Sequence, residues 1–267
     1  MSRETISREQ LLNVVRDTLE SKPYALAMYE GGAAGFKRVD QWSDADIQII
    51  VTDGSVEQAF GDLETALAEL GETDYRYRLP EPTWHGHSQC FYRFKDASPF
   101  LMLDLVFIQE SSEADRFMQF RTHGEPVVWF DKAGVVVEEP LDEDGMIARM
   151  QASLESARMR YDLFWILVEK EIQRKNHLEA FAFYYNFAFI PLLEVLRIVH
   201  SPVRFFYKTR YAHYDLPEDV SERLTNLLFV PNLDSLAHNF AQARVWFADV
   251  VSEINWDAVR EKLVTSD

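Results

Sequence analysis

The chain has 267 residues, enough for one large domain or two small ones. Apolar residues make up 47% of it and only 10 glycines and 10 prolines interrupt them, a composition typical of a globular protein with a packed core. Lys and Arg number 27 against 44 Asp and Glu, which gives a formal net charge of −17. A surface this acidic repels phosphate backbones, so we expect no polymeric nucleic acid as a partner.

Cellular location is predicted from the cysteine content and from the start of the chain. The single cysteine, Cys90, cannot form an internal disulfide, and the polar residues 1–4 contain no apolar stretch of the signal-peptide type. The apolar residues 181–198 are interrupted by charged side chains, so they fall short of the roughly 20 uncharged residues that cross a bilayer. We expect a soluble, cytoplasmic protein with no membrane partner.

The chain opens with alternating helix and strand signals. Ser7 and Gln10 fit a capping box at the start of a helix. Residues 24–30 are short and apolar, and residues 45–52 are rich in β-branched side chains, so both segments are predicted as buried strands. Apolar residues at helical spacing then indicate a second helix that ends at Gly71. The order is helix, strand, turn, strand, helix.

The next part of the chain indicates further strands. The predicted elements are strands at residues 75–79, 89–94 and 100–108, a helix at 113–121, and short strands near 127–130 and 135–137. The acidic residues 138–144 are predicted as a linker, which puts a domain boundary near residue 140.

Beyond residue 140 the apolar residues follow helical spacing only. Helices are predicted at residues 147–167, 178–199, 217–228 and 233–251. The sequence therefore predicts an α+β protein: a mixed sheet with flanking helices in residues 1–140, followed by an all-α helical bundle in residues 141–267.

Two short patterns in the first half indicate chemistry. Gly31 and Gly32 end the first predicted strand, and without Cβ atoms their backbone N–H groups can approach a phosphate closely. Asp44 and Asp46 lie two positions apart at the start of the next strand, so both carboxylates share a face where they can bind Mg²⁺. Each pattern alone also has an ordinary explanation, a turn for the glycines and solvated carboxylates for the aspartates.

A third carboxylate strengthens the pattern. Asp104 is the one charged residue in the apolar run 100–108, where an ionised carboxylate is costly to bury unless a cation compensates it. If its strand lies beside that of Asp44 and Asp46, three carboxylates converge, and divalent cations would relieve their repulsion. The alternative is that Asp104 faces solvent from an edge strand or pairs with an arginine.

These residues together resemble the motif of the nucleotidyltransferase superfamily, which has a polymerase-beta-like fold. Its pattern is an apolar residue before Gly-[Gly/Ser], a short spacer, Asp-x-[Asp/Glu], and a later carboxylate on an apolar strand. The helical second half and the length are similar to its small antibiotic-modifying branch, which includes lincosamide and aminoglycoside nucleotidyltransferases. One position departs from the pattern, because Gly32 stands where many members have a serine that contacts phosphate.

The resemblance implies a mechanism and its co-substrates. Asp44 and Asp46 would hold Mg²⁺ that bridges the triphosphate of an NTP, with ATP as the expected one, while the glycine turn orients the β and γ phosphates. Asp104 would complete the metal site and act on the acceptor hydroxyl, as a general base or through the metal. Attack on the α-phosphorus would then transfer a nucleoside monophosphate and expel pyrophosphate.

The departing negative charge would need cationic partners. Lys37 and Arg38 follow the glycine turn and are candidates, although an ordinary solvated loop is the favoured explanation for them. Lys208, Arg210 and Tyr211 form a basic and aromatic cluster in the second half, which indicates an anion site in such an acidic chain. The resemblance implies that such groups reach the triphosphate from the second domain.

Two other features have a structural explanation. His85 and His87 offer two imidazoles in a polar loop, but a zinc site needs further ligands and none is evident in the surrounding sequence. Cys90 lies in a predicted strand with no activating base beside it in sequence, so we expect a structural thiol.

The acceptor is expected to be a small hydroxylated molecule, and a cationic one if acidic side chains of this chain face the cleft. A homodimer is one possible assembly, and the sequence does not decide the oligomeric state. Two other functions also stay open: a non-catalytic nucleotide-binding or antitoxin-like regulatory module of the same fold, and a transferase acting on polynucleotide ends. The net charge of −17 disfavours the last one.

Overall fold

The structure is a computed structural model that describes residues 5–265. By their internal contacts, the residues form two compact units, Met1–Pro140 and Leu141–Asp267. The polar start of the chain, on which the predicted cytoplasmic location partly depends, lies outside the described residues.

The first unit alternates helices and strands. In chain order its elements are α1 (Arg8–Glu20), β1 (Ala25–Glu30), the short α2 (Gly32–Gly35), β2 (Ala45–Val51), α3 (Val56–Leu70), β3 (Thr73–Arg78), β4 (Ser88–Phe94), β5 (Leu103–Gln109), the short α4 (Phe120–His123) and β6 (Val127–Asp131). The predicted capping box is confirmed: Ser7 accepts a hydrogen bond from the Gln10 backbone, and the Gln10 side chain accepts one from the Ser7 N–H.

The strands form one six-stranded sheet in the order β3-β4-β5-β2-β1-β6. β2 and β5 are parallel, and the other neighbouring strands are antiparallel. A mixed sheet with flanking helices, followed by a helical unit, confirms the predicted α+β class. β5 and β2 are interior strands, so their backbone groups are paired on both sides.

The two faces of the sheet differ along β2 and β5. Alternate residues such as Ile47 and Leu105 pack with α1 and α3 in the largest apolar cluster. Ile50 and Ile108 point to the opposite face and belong to a smaller apolar cluster. Earlier in the same two strands, Asp46 and Asp104 share the parity of that second face, where they are half-buried. The carboxylates therefore lie at one end of an otherwise apolar surface.

Two predicted elements of the first unit are wrong. Within residues 113–121 only Phe120 and Arg121 are helical, as part of α4, because Asp115 accepts a hydrogen bond from the Phe117 backbone and holds a loop instead. Residues 135–137 form no strand, because the carboxylate of Asp131 accepts the N–H groups of Val135 and Val136. In both places an aspartate carboxylate binds backbone N–H groups that a helix or a strand would need for its own hydrogen bonds.

The second unit is helical. Its elements are α5 (Glu143–Gln173), α6 (His177–Tyr184), a π-helical turn (Tyr185–Phe189), α7 (Ile190–His200), a 3₁₀ helix (Pro202–Tyr207), the short α8 (Ala212–Asp215), α9 (Glu218–Leu228), α10 (Leu233–Ser252) and α11 (Trp256–Thr265). The predicted helix at 178–199 is thus a longer run with a π-helical turn inside it. The sequence patterns did not predict the 3₁₀ helix, α8 or α11.

The α6–α7 run is the most apolar helical segment among the described residues. The run His177–His200 is long and apolar enough to cross a membrane by length and composition, and 61% of its apolar window is buried inside the protein. Burial of this kind is typical of the core helix of a soluble domain.

A buried ion pair organises the segment after α7. Arg197 is 0% exposed and donates to the Asp215 carboxylate at 3.1 Å, while Arg204 binds the same carboxylate at 2.8 Å. The Arg197 guanidinium also donates to the backbone carbonyls of Lys208 and Arg210. Burial lowers the pKa of Arg197, and the charge of Asp215 opposes that shift. One buried arginine therefore ties together most of residues 202–215.

Replacing Asp215 with asparagine is expected to lower the free energy of unfolding by about 3 kcal/mol, because Arg197 would stay buried without its counter-ion. Urea unfolding followed by far-UV circular dichroism measures the change. Asp162→Asn, at an exposed position of α5, is the matched control and is expected to change the free energy of unfolding by less than about 0.5 kcal/mol. Equal effects of the two variants would contradict this account of the ion pair.

Candidate functional site

The glycine turn after β1 lies directly against β2. The Gly31 N–H donates to the Asp46 carbonyl at 3.0 Å. Gly32 has a φ of +53°, and a Cβ added there would overlap the Asp46 carboxylate. A serine at position 32 would meet the same obstacle. A larger residue at position 32 would therefore require the Asp46 side chain to move.

Asp46 and Asp104 are neighbours across the sheet. They are register partners on the parallel strands β2 and β5, so their side chains leave the sheet at adjacent positions on one face. β5 is an interior strand, which excludes the edge-strand alternative for Asp104. Oδ1 of Asp104 accepts a hydrogen bond from the Gln89 side chain at 2.6 Å.

Asp44 precedes β2 and is bound to the segment that leads into β5. Its Oδ1 accepts a hydrogen bond from the Met102 N–H at 3.2 Å. Burial raises the pKa of Asp44, and the charge of Asp46 raises it further, while the Met102 hydrogen bond and Arg8 act in the opposite direction. The charged form of Asp44 is thus held at some cost in this structure.

Arg8 is a cation close to Asp44 and Asp46 that the sequence patterns did not indicate. It lies in the first turn of α1, where its Nε donates to the Asp44 carbonyl at 3.1 Å and its guanidinium pairs with Glu30, which is 2% exposed. Burial lowers the pKa of Arg8, whereas the charges of Asp46 and Asp44 raise it. Arg8 therefore offsets part of the negative charge of the aspartates.

The donor set has the chemistry of a Mg²⁺ site, since carboxylate oxygens are the ligands this ion prefers. Among residues 5–265, however, no three His, Cys, Asp or Glu side chains are arranged as ligands of one metal ion. Asp44 instead contacts a backbone N–H and Asp104 contacts Gln89. The side chains fit the ion chemically, and their present contacts are to other groups of the protein.

Lys37 and Arg38 lie in the loop that follows the glycine turn. Lys37 is 83% exposed in its side chain, and its Nζ lies 3.5 Å from the Glu125 carboxylate. The Arg38 guanidinium stacks 5.2 Å from the Phe36 ring centroid. The exposure of Lys37 is what a solvated loop would show. The role of Lys37 and Arg38 as phosphate partners stays a prediction.

Lys208, Arg210 and Tyr211 belong to the segment that Arg197 organises in the second unit. The Arg210 guanidinium lies 5.0 Å from the ring centroid of Tyr211 and 5.5 Å from that of Tyr207. Lys208 is exposed. Because buried Arg197 binds the carbonyls of Lys208 and Arg210, the backbone beneath this basic and aromatic cluster is held in place.

Gln89 and His85 also contribute to the surroundings of Asp104, and sequence reasoning gave neither a role there. Gln89 is buried in β4, and its Oε1 lies 2.9 Å from His85 Nε2. The only sequence signal was an amide among apolar strand residues, next to a paired-histidine loop. Cys90, the next residue, is buried, and burial raises the pKa of its thiol, as expected for a structural cysteine.

Comparison with known proteins gave two solved structures of interest. No protein-family model matches the chain, and no curated protein matches it in sequence. A spectinomycin adenyltransferase, AAD(9), from Enterococcus faecialis, solved with ATP and spectinomycin, aligns with a TM-score of 0.35 and 11% identity over 97% of this chain and 100% of that one. A cytoplasmic RNA terminal U-transferase aligns with a TM-score of 0.28 and 13% identity over 74% of this chain and 50% of that one. Similarity this low does not identify a function.

Gly32→Ala is expected to lower the free energy of unfolding by at least about 1 kcal/mol more than Gly54→Ala. Both glycines have positive φ, +53° and +76°, so both variants carry similar backbone strain. Only at position 32 does the new Cβ overlap a carboxylate, because nothing lies within 4 Å of a Cβ at position 54. Urea unfolding of the two variants makes the comparison, and equal losses would show that Asp46 does not crowd the turn.

Asp44→Asn is expected to raise the melting temperature at pH 7. The raised pKa means that the folded protein binds the Asp44 proton more tightly than the unfolded chain does. At a pH above the pKa of the folded protein, the charged carboxylate therefore lowers the free energy of unfolding. The advantage of the variant should shrink as the pH falls from 7 to about 4, the ordinary pKa of an aspartate in an unfolded chain, because wild-type Asp44 takes up its proton on the way. Thermal melts at pH 7 and at about pH 4 measure it, with Asp162→Asn as control. A lower melting temperature for Asp44→Asn at pH 7 would contradict the sign.

Proposed function

We propose that this protein is a Mg²⁺-dependent nucleotidyltransferase that transfers a nucleoside monophosphate from an NTP, with ATP the expected donor, to a hydroxyl of a small molecule. The observation that carries the proposal is the pairing of Asp46 with Asp104 on parallel strands, beside a turn at Gly32 where an added Cβ would overlap the Asp46 carboxylate. Carboxylates gathered at one point of an apolar sheet face raise the energy of the fold, and such arrangements are concentrated at functional sites.

Asp44, Asp46 and Asp104 are the side chains that would hold Mg²⁺. Bound there, the ion would neutralise charge on the triphosphate and on the departing pyrophosphate. Since the Gly31 N–H already donates to the Asp46 carbonyl, the amides that would orient the phosphates are those of the following residues, Gly32 and Ala33.

Asp104 is the proposed base. The acceptor hydroxyl would give its proton to the Asp104 carboxylate while its oxygen forms a bond to the α-phosphorus. The bond between the α-phosphorus and the bridging oxygen breaks, and pyrophosphate leaves with that electron pair. The hydrogen bond from Gln89 keeps Asp104 in the role of acceptor, because an amide N–H can only donate.

The phosphate partners proposed beyond the glycine turn are four cations and one tyrosine. Lys37 and Arg38 are the candidates in the first unit, and Lys208, Arg210 and Tyr211 are those in the second. In a chain of net charge −17, a triphosphate needs such local positive charge to bind at all. The stacking of Arg210 on two tyrosines supports its part in the proposal, because a guanidinium held in place loses less entropy on binding an anion.

The proposed acceptor is a small hydroxylated, cationic molecule such as an aminoglycoside- or lincosamide-like antibiotic. Its charge would complement the acidic surface of the protein. The same acidity opposes a polynucleotide acceptor. We place the reaction in the cytoplasm, where NTPs are available, and a homodimer stays a proposal for the assembly.

A second candidate function is a nucleotide-binding regulatory module without turnover. Arg8 supports it, because this arginine lies where its charge offsets Asp44 and Asp46 without a metal ion. In that case NTP would bind, and no acceptor would release pyrophosphate.

The two functions are separated by measuring pyrophosphate release. Wild-type protein, Mg²⁺ and each NTP are incubated with a library of hydroxylated cationic compounds, and with RNA and DNA ends in parallel. Asp104→Asn is expected to lower kcat by about a thousandfold or more while NTP binding stays close to that of the wild type. Removal of Mg²⁺ by chelation should also abolish release.

Asp162→Asn, which replaces an exposed carboxylate of α5, is the matched control and should keep wild-type kcat. NTP binding without release for every acceptor would favour the regulatory module. Release with polynucleotide ends alone would favour an end transferase, and full activity of Asp104→Asn would refute the role of this carboxylate.

A further inference from the structure

A chain of side-chain hydrogen bonds connects Asp104 to the loop before β4. Gln89 Nε2 lies 2.6 Å from Asp104 Oδ1, and Gln89 Oε1 lies 2.9 Å from His85 Nε2. Gln89 is buried, and His85 is half-buried in the loop. We name these three residues the His85–Gln89–Asp104 chain.

The backbone decides which nitrogen of His85 carries the proton. The His87 N–H donates to His85 Nδ1 at 3.2 Å. A backbone amide can only donate, so Nδ1 acts as the acceptor and the neutral ring has its proton on Nε2. Nε2–H then donates to Gln89 Oε1, which turns the amide nitrogen of Gln89 toward Asp104. Each hydrogen bond in the chain therefore fixes the direction of the next one.

The loop that starts the chain of hydrogen bonds is itself held in place. The Thr83 hydroxyl donates to the His87 carbonyl at 2.6 Å. His87 is 4% exposed, and its Nε2 lies 2.8 Å from the Asp115 carbonyl. These bonds restrain the backbone on both sides of His85. Its ring is therefore a fixed point against which the Gln89 amide is oriented.

We propose that His85 and Gln89 are positioning residues for Asp104. Gln89 binds Oδ1 of the Asp104 carboxylate and so sets the plane of the carboxylate and the direction of Oδ2. The hydrogen bond to His85 keeps the Gln89 amide from rotating by half a turn. A rotated amide would place Oε1 against the Asp104 carboxylate, and the oxygens would repel each other. The effect on turnover rests on the proposed function, whereas the proton position on His85 does not.

The activity test uses substitutions that remove or keep the donor of His85. His85→Phe keeps a ring without nitrogen and is expected to lower kcat about tenfold, with the KM for NTP within about twofold of wild type. His85→Gln can place an N–H near the position of Nε2 and should recover most of that loss. Gln89→Leu removes the direct hydrogen bond to Asp104 and should lower kcat further.

His238→Phe is the matched control, because this histidine is exposed on α10 in the second unit, and it should leave kcat unchanged. Equal losses in His85→Phe and His85→Gln would mean that the ring matters only for packing and would overturn the proposal. A loss confined to the KM for NTP would overturn it as well.

A spectroscopic test needs no turnover. Long-range ¹H–¹⁵N NMR of the wild-type chain should show the His85 ring protonated at Nε2 and unprotonated at Nδ1 at neutral pH, and the opposite tautomer would overturn the proposal. If wild-type protein transfers no nucleotide to any acceptor, the proposed function fails. The tautomer seen by NMR is then the remaining test of the His85–Gln89–Asp104 chain.

Discussion

The parallel register of β2 and β5 is the constraint on which the candidate site depends. It pairs Asp46 with Asp104, and the like charges of adjacent strand positions raise the energy of the folded state. The surrounding protein compensates locally, through the amide of Gln89 and the guanidinium of Arg8. A one-residue shift in this register would separate the carboxylates onto opposite faces and remove the site.

The glycine turn is part of the same constraint. Gly31 binds the backbone of β2 and Gly32 leaves room for the Asp46 carboxylate, so the turn and the charged end of β2 are built against each other. A residue larger than glycine at position 32 would require the Asp46 side chain to move.

The second unit uses charge differently. Its Arg197–Asp215 pair is buried, and a buried ion pair is weak evidence for stability because both charges lose their hydration. Arg197 also binds backbone carbonyls of the segment that carries Lys208 and Arg210. The same guanidinium thus joins the ion pair to the backbone of a basic segment.

Elements that depend on neighbouring residues could be predicted from the sequence. Segments in which a side chain binds backbone N–H groups could not. The capping box at Ser7 and the main strands and helices depend on neighbours in sequence, so they could be predicted. The wrong elements at residues 113–121 and 135–137 failed because Asp115 and Asp131 bind backbone N–H groups. Arg8 and Gln89 carried no sequence signal of a role, since each acquires one only through residues far away in the chain.

The sequence by itself determined the alternation of helix and strand, the two-residue spacing of Asp44 and Asp46 at the start of β2, and the acidic character that disfavours nucleic acid. These properties follow from composition and from the short periods of helices and strands. Only the tertiary structure decided that β5 lies beside β2, that the charge of Arg8 acts on Asp44 and Asp46, and that Gln89 binds Asp104. Strand pairing and helix packing join segments distant in the chain, and no local pattern records which of the available partners will meet.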